Sequence, residues 1–386
     1  MINPGTTKYV LIKPRPAIAA VLAVTVISFL TPAAQSADSA LVRPLWDERS
    51  DSLGCAPFGT PAVEGNKLFI VCGGIRAYAQ DSGRELWHSE QGEYNPHKVV
   101  TAGGRVLVVE AAVSALDAQT GQKKWEFRPD ANASLGRATT QGNRLYFGTS
   151  SHRLYAVRIS DGKILWQTDL GQEWKYPAVV RGLAAAGRVL YATVEQWRTE
   201  NGKQASGWLI ALDAKTGRIF WRYSTGSGDQ RRGLSSSPVV TPKLVLAGDY
   251  LSNAIEAIDR RTGREVWRFE GERGFVGFPE APVIGGDKVY AASGDTYVYA
   301  IGLLTGRLIW RTKMPASNES YALCGTDLVV NYHGLAALDL RTGRIEQTLL
   351  QGTGEFVTSD FATLKGHFFI AGPKGVYGFD CGKPSQ

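Results

Sequence analysis

Catalytic signatures are missing from this chain, and the residues that would build them are scarce. Only five histidines occur, His88, His97, His152, His333 and His367, and no two share a short ligand-like spacing. A zinc centre is therefore not expected. There is no HExxH, no GxSxG and no phosphate-binding glycine loop, so the familiar metalloprotease, hydrolase and nucleotide chemistries have no footing. Four cysteines are present without a CxxC, a CxxCH or an adjacent pair. That leaves out thiol redox and c-type haem attachment. Long runs of one charge are also absent. The net charge is +7, from 43 basic and 36 acidic residues. Lys8, Lys13 and Arg15 supply three of those charges with no acid before Asp38, so the remainder carries about +4. Nothing in that balance supports nucleic-acid binding.

The longest apolar run, residues 17–30 (AIAAVLAVTVISFL), has 14 residues. A membrane span needs roughly 20. The run sits between the basic start and the small-residue stretch Ala33-Ala34-Gln35-Ser36-Ala37. This is the three-part layout of a secretory leader, with cleavage expected near Ala37. Residues 1–37 are read as a signal peptide and 38–386 as one mature domain. No cysteine lies before Cys55, so no lipid anchor is expected, and the mature chain is read as secreted or periplasmic, soluble and monomeric. In that compartment an even cysteine count permits disulfides. Four cysteines allow three pairings; Cys55 and Cys72 fall on one face of the same repeat unit and Cys324 and Cys381 in adjacent units, so Cys55–Cys72 and Cys324–Cys381 are candidate bridges and the pairing stays open.

What the chain has in abundance is glycine, 44 residues, and tryptophan, 10 residues. They recur together. The phrase ALDAQTGQKKW at 115–125 returns as ALDAKTGRIFW at 211–221. Seven copies start at Ala77, Ala115, Ala156, Ala211, Ala257, Ala300 and Ala337. Each has glycine six residues on, at Gly83, Gly121, Gly162, Gly217, Gly263, Gly306 and Gly343. Six carry tryptophan four residues later: Trp87, Trp125, Trp166, Trp221, Trp267 and Trp310; the last has Gln347. Glycine suits a tight turn with positive φ, and the Asp and Thr oxygens of Asp-x-x-Thr-Gly can hold the turn's own amides. The alanine is expected to be small because the tryptophan of a neighbouring unit lies over it.

Between phrases, each unit reads as a Pro-Ala-Val-like strand, a turn, an apolar strand such as Lys67-Leu68-Phe69-Ile70-Val71, and a strand ending at the alanine. The turn then leads into the tryptophan strand. Four short antiparallel strands per repeat make one propeller blade. Gly378-Phe379-Asp380 begins an eighth phrase that stops before its tryptophan, whereas Leu41 to Trp46 is a last strand with no blade before it. Residues 41–46 are therefore expected to complete the blade begun by 362–381. The fold class is an all-β, eight-bladed propeller whose tryptophans, Trp46 included, dock blade to blade. Closing the ring removes the exposed sheet edges.

These seven phrases resemble the tryptophan-docking repeat of the pyrroloquinoline-quinone (PQQ) propeller family, over essentially all of residues 41–381. The resemblance implies the eight-bladed fold. For function it implies two alternatives: a quinoprotein alcohol or sugar dehydrogenase, or a non-enzymatic scaffold like the BamB-like branch, which the length and layout resemble more. The chain departs from the dehydrogenases in lacking their vicinal cysteine pair and long insertions, and no Glu/Asn/Asp set for calcium and a catalytic base is identifiable. It departs from the BamB-like branch in lacking a lipid-bearing cysteine.

A propeller places the loops between blades and those between second and third strands on one face. On that face the sequence offers Trp174, Lys175, Tyr176, Arg231, Arg232, Phe275, Phe278, His97 and Arg137 as ligand or partner residues. Trp197, in the insertion 195–207, is a partner anchor. Cations and aromatics around a channel mouth suit an anionic planar ligand, a quinone tricarboxylate included. The reading is a non-catalytic scaffold with a protein partner on this face and no resident metal or cofactor. The alternative is an oxidoreductase holding PQQ with Ca²⁺.

Overall fold

Each repeat folds as four antiparallel strands because its apolar runs are too short for helices and are punctuated by Gly- and Asx-bearing turns. In the computed structural model, residues 43–48, 58–90, 98–129, 135–171, 178–196, 206–225, 233–272, 277–316, 320–332, 334–349, 361–364, 366–372 and 375–381 are described. They form 32 strands in eight four-stranded sheets. Blades 1 to 7 span 58–89, 98–127, 135–169, 178–224, 239–270, 283–313 and 320–349. Blade 8 takes three strands from 362–380 and its outermost strand from Arg43–Glu48. Trp46 pairs with Gly378 in that closure. The expected circular fold is thus present, with its closing strand shifted two residues along. The first strands of blades 8, 1, 2, 3, 4 and 5 touch in succession, as do those of 6 and 7.

The second and third strands are buried on both faces, as in Arg144–Thr149 and Arg153–Arg158, because each blade is sandwiched between two others. The fourth strands alternate with an exposed side, as in Glu85–Ser89. The first strand of blade 5 shrinks to Val239–Val240 just after Pro238, which has no N–H for a ladder. In blade 4 the second and third strands, Val189–Gln196 and Ser206–Asp213, stay paired from Glu195–Gly207 to Gln196–Ser206. The insertion expected to loop out from Glu195 therefore starts two residues later.

The repeated phrase is a lock between blades. All seven glycines have φ between 67° and 74°. In Asp117's turn, its carboxylate accepts the N–H groups of Gln119 and Thr120, which holds its pKa below the usual carboxylate value. Six of these glycines meet the preceding blade. A Cβ added at Gly121, Gly162, Gly217, Gly263, Gly306 or Gly343 would lie within 3 Å of the indole of Trp87, Trp125, Trp166, Trp221, Trp267 or Trp310 respectively. Each of those indoles donates its N–H to a carbonyl of the next blade, from Trp87 to Ala118 at 3.3 Å through Trp310 to Leu340 at 3.2 Å.

The alanine needs a different explanation from the one its spacing invites. It lies opposite its own blade's tryptophan on one side, as Ala156 does Trp166, and opposite a second-strand residue on the other, Tyr146. In blades 1, 3, 4 and 6 the flanking rings Phe69–Trp87, Tyr146–Trp166, Tyr191–Trp221 and Tyr290–Trp310 approach to 5.8–5.9 Å. Strands two apart are separated by nearly 10 Å, so the rings lean together over the alanine between them. The neighbour's tryptophan meets the glycine; the alanine is roofed by its own blade.

Cys324 and Cys381 are bonded, tying blade 7 to blade 8. Cys72 is disulfide-bonded as well; its candidate partner, Cys55, lies outside the described residues. So do residues 1–42, which contain the expected leader. No helix among the described residues is long and apolar enough to cross a membrane.

Candidate functional site at the channel mouth

In every blade the chain enters the first strand and turns from the second to the third on one face of the ring. On that face a cavity of about 700 Å³ opens between the inner strands of blades 3, 4, 5 and 6. Repeat register decides which side chains reach it. Ser150, Glu195 and Tyr250 line it from blades 3, 4 and 5. Each stands four residues past a second-strand residue paired with the repeat alanine, namely Tyr146, Tyr191 and Leu246. The same register holds Gly73, Ala111 and Gly294 in blades 1, 2 and 6. Blades 7 and 8 hold His333 and Pro373 there in sequence, so polar side chains furnish the mouth from blades 3, 4 and 5 where blades 1, 2 and 6 carry only small residues.

Two guanidinium–carboxylate pairs span the cavity. Arg137, on the first strand of blade 3, makes a two-pronged pair with Glu280 just before blade 6, at 3.0 and 2.8 Å. Blades 3 and 6 are three steps apart on the ring, so this pair crosses the channel. Arg181, on the first strand of blade 4, donates from Nε to Glu195 Oε2 at 2.7 Å. Glu195 is 2% exposed. Burial pushes its pKa up, Arg181 opposes the rise, and the nearby charge of Asp249 adds to it.

Behind Glu195 a buried polar chain continues into blade 5. Asp249, fully buried, accepts from the N–H groups of Gly233, Leu251 and Ser252 and from Ser252 Oγ at 2.5 Å. Arg268 donates to Ser252 Oγ at 2.9 Å and pairs with Glu256. Glu256 is fully buried, and burial raises its pKa to about 7 despite Arg268. Tyr223 of blade 4 ends the chain by donating to Glu265 at 2.6 Å.

Of the residues the sequence offered, Arg137 is in the cavity, but a carboxylate engages it. Phe278 is not at the mouth. It is fully buried, packs edge-on against Tyr299 at 5.7 Å, and belongs to the core between blades 5 and 6. Its glycine and proline neighbours make it look like a loop aromatic, but it sits so close to blade 5 that a Cβ at Gly248 would meet its carbonyl oxygen at 2.6 Å and its own Cβ at 2.9 Å. His97, Trp174, Lys175, Tyr176, Trp197, Arg231, Arg232 and Phe275 lie outside the described residues. Glu195, Arg181, Ser235, Tyr250 and Glu280 escaped sequence reasoning. The repeat register would have found Glu195 and Tyr250, since a carboxylate closing the apolar run Val189–Gln196 breaks the pattern of its sister blades.

A bound PQQ, a tricarboxylate, would need cations not already engaged, and its Ca²⁺ would need a cluster of oxygen ligands. Both guanidinium groups of the described mouth face carboxylates. No group of three His, Cys, Asp or Glu placed to hold a cation occurs among the described residues. These residues do not form a site fitting that cofactor.

The closed ring of eight blades and the indole–glycine lock define a tryptophan-docking propeller. Within that class the chain belongs to the family described as outer membrane protein assembly factor BamB, whose model matches residues 40–193 and 251–366. The assembly factor BamB of Shewanella oneidensis is 28% identical over 272 residues, 65% of this chain and 62% of that protein. Tetrathionate hydrolase of Acidithiobacillus ferrooxidans is 21% identical over 254 residues, 64% of this chain and 51% of that one. The dehydrogenase subunit of the quinone alcohol dehydrogenase of Komagataeibacter europaeus is 30% identical over 131 residues, 29% of this chain and 17% of that one. The matches thus cover about half of the hydrolase and under two thirds of the assembly factor. Among solved structures, BamB from Moraxella catarrhalis superposes with a TM-score of 0.63 at 19% identity, over 83% of this chain and 92% of that one. Quinohemoprotein alcohol dehydrogenase from Comamonas testosteroni gives 0.69 at 12% identity, over 90% and 77%. These two share the fold.

Proposed function

We propose that the chain is an exported, non-catalytic propeller that binds protein in the cell envelope or outside the cell, through the face bearing the inter-blade loops. The family match over residues 40–193 and 251–366 carries this reading. A relative named as an outer membrane protein assembly factor makes envelope proteins the partner class of choice. The charge-balanced mouth supports it further, because the described guanidinium groups are committed to internal pairs rather than to an anionic cofactor. The leader-like residues 1–37 supply the route of export.

The alternative is a PQQ-dependent alcohol or sugar dehydrogenase, favoured by the stretch shared with the quinone alcohol dehydrogenase. A photo-crosslinking side chain at Ser151 or Thr296, on the loop face, distinguishes the two when compared with one at Thr262 on the opposite turn face. Protein adducts confined to the loop-face positions support the scaffold. Equal adducts on both faces, or dye-linked dehydrogenase activity on adding PQQ and Ca²⁺, overturn it.

A further inference from the structure

We propose that the cavity between blades 3 and 6 is a binding site for a neutral, hydroxyl-rich small molecule, a saccharide of one or two rings. The proposal does not depend on the scaffold reading. Its volume of about 700 Å³ is within the range of small-ligand sites. Its charge is balanced, two guanidinium groups against two carboxylates, so neither an anion nor a cation gains net attraction among the described residues.

What the walls offer instead is alternating donors and acceptors. Glu195 is buried and lines the cavity, yet only its Oε2 is engaged, by Arg181. Its Oε1 remains an acceptor. Ser235 Oγ accepts the Tyr250 N–H at 3.1 Å, which leaves the hydroxyl proton to donate. The Tyr250 hydroxyl makes no hydrogen bond within the described residues and can do either. A hydroxyl group also both donates and accepts, and neighbouring hydroxyls on a sugar ring match such an array. The Tyr250 ring, with Val179 and Pro279, gives the apolar surface that the C–H face of a sugar needs.

The location argues for a ligand peculiar to this chain. The family match stops at residue 193 and resumes at 251. Glu195, Ser235 and Tyr250 all fall in that gap. The acceptor and hydroxyl groups offered to a sugar therefore come from the stretch where the chain departs from its family, while Arg137, Ser150, Arg181 and Glu280 lie within the matched residues.

The test is a melting-temperature titration of the purified mature protein with glucose, maltose and trehalose, beside glucuronate, glucosamine and PQQ. A saturable rise with a neutral sugar is expected, and none with the charged probes. Tyr250→Ala should weaken that binding by about tenfold or more while the unliganded protein melts as before. Glu195→Gln should weaken it as well; if that variant fails to fold beside Arg181, Tyr250→Ala alone carries the test. A folded protein that no neutral sugar stabilises overturns the proposal. So does a shift given only by glucuronate or PQQ, or sugar binding undiminished by Tyr250→Ala.

Discussion

Replacing one buried repeat glycine by alanine tests the indole–glycine lock, provided that a second glycine serves as its control. Gly217 and Gly142 both have positive φ, 73° and 56°. Alanine in that region costs about 1–2 kcal/mol at either position. The surroundings differ. A Cβ at Gly142 meets nothing within 4 Å, whereas at Gly217 it would lie 2.4 Å from Thr168 Oγ1 and 2.6 Å from Trp166 Cε3. Trp166 must move, and its N–H bond to Ala214 at 3.2 Å goes with it. Overpacking of this kind costs about 1–3 kcal/mol, and the lost hydrogen bond about 1 kcal/mol. Gly217→Ala should therefore destabilise by about 3–6 kcal/mol and Gly142→Ala by about 1–2 kcal/mol, read from urea denaturation midpoints at constant slope. Equal losses would mean that backbone conformation alone explains the repeat glycine and would refute the lock.

Other consequences can be measured on the same protein. Burial raises the Glu256 pKa from 4.5 to about 7, so the folded state holds its proton more tightly than the unfolded chain. Stability should then fall by about 3 kcal/mol as pH rises from 4.5 to 7 and level off above. Glu256→Gln should flatten that slope in pH-dependent melts; an unchanged slope would assign it elsewhere. Asp327, raised to about 6 by burial and then by Glu346 and Asp339, adds in the same direction at lower pH and keeps its contribution in that variant. The Cys324–Cys381 bridge closes a sequence separation of 57 residues, so the double serine variant should lose about 4 kcal/mol, with no loss counting against an entropic role. For Arg137 and Glu280, a double-mutant cycle should give a coupling of about 1–2 kcal/mol; additive single losses would show that the cross-channel pair holds nothing.

How much of this was readable beforehand depended on whether a residue answers to its repeat or to a distant partner. Glycine and tryptophan are fixed by contacts that recur in every blade, so their spacing alone revealed fold, blade count and closure. The alanine also recurs, yet spacing could not say which ring lies over it. That took the leaning of Tyr146 and Trp166 across one blade. Arg137 was recognisable from its place at the start of a blade, although it stands on the inner strand itself. Its meaning was not, since Glu280 sits 143 residues away and reaches it only because the ring closes. Phe278 was misread because an aromatic between glycine and proline looks the same in a loop as in a core. What set it apart was its packing edge-on against Tyr299 in the core between blades 5 and 6, with Gly248 of the neighbouring strand admitting its backbone.

The cavity and the buried charges behind it belong to one local departure from repeat symmetry. Three carboxylates, Glu195, Asp249 and Glu256, are at most 2% exposed. They share two guanidinium groups, Arg181 and Arg268. Such a cluster is seldom a net source of stability. The register position of Asp249 holds an acid again in blade 2, Glu110, but Cys72 in blade 1, Thr149 in blade 3 and Ser293 in blade 6, so the architecture does not require a charge there. Repeats that needed only to close a ring would have kept the cheaper residue in blade 5 too. The charges are better explained by what they support. Asp249 anchors the N–H groups of Gly233 and Leu251, which flank Ser235 and Tyr250 at the cavity. Rigid placement of those two residues needs a second layer of fixed hydrogen bonds. Asp249→Asn should therefore leave the ring closed and folded while loosening whatever the mouth of the channel holds.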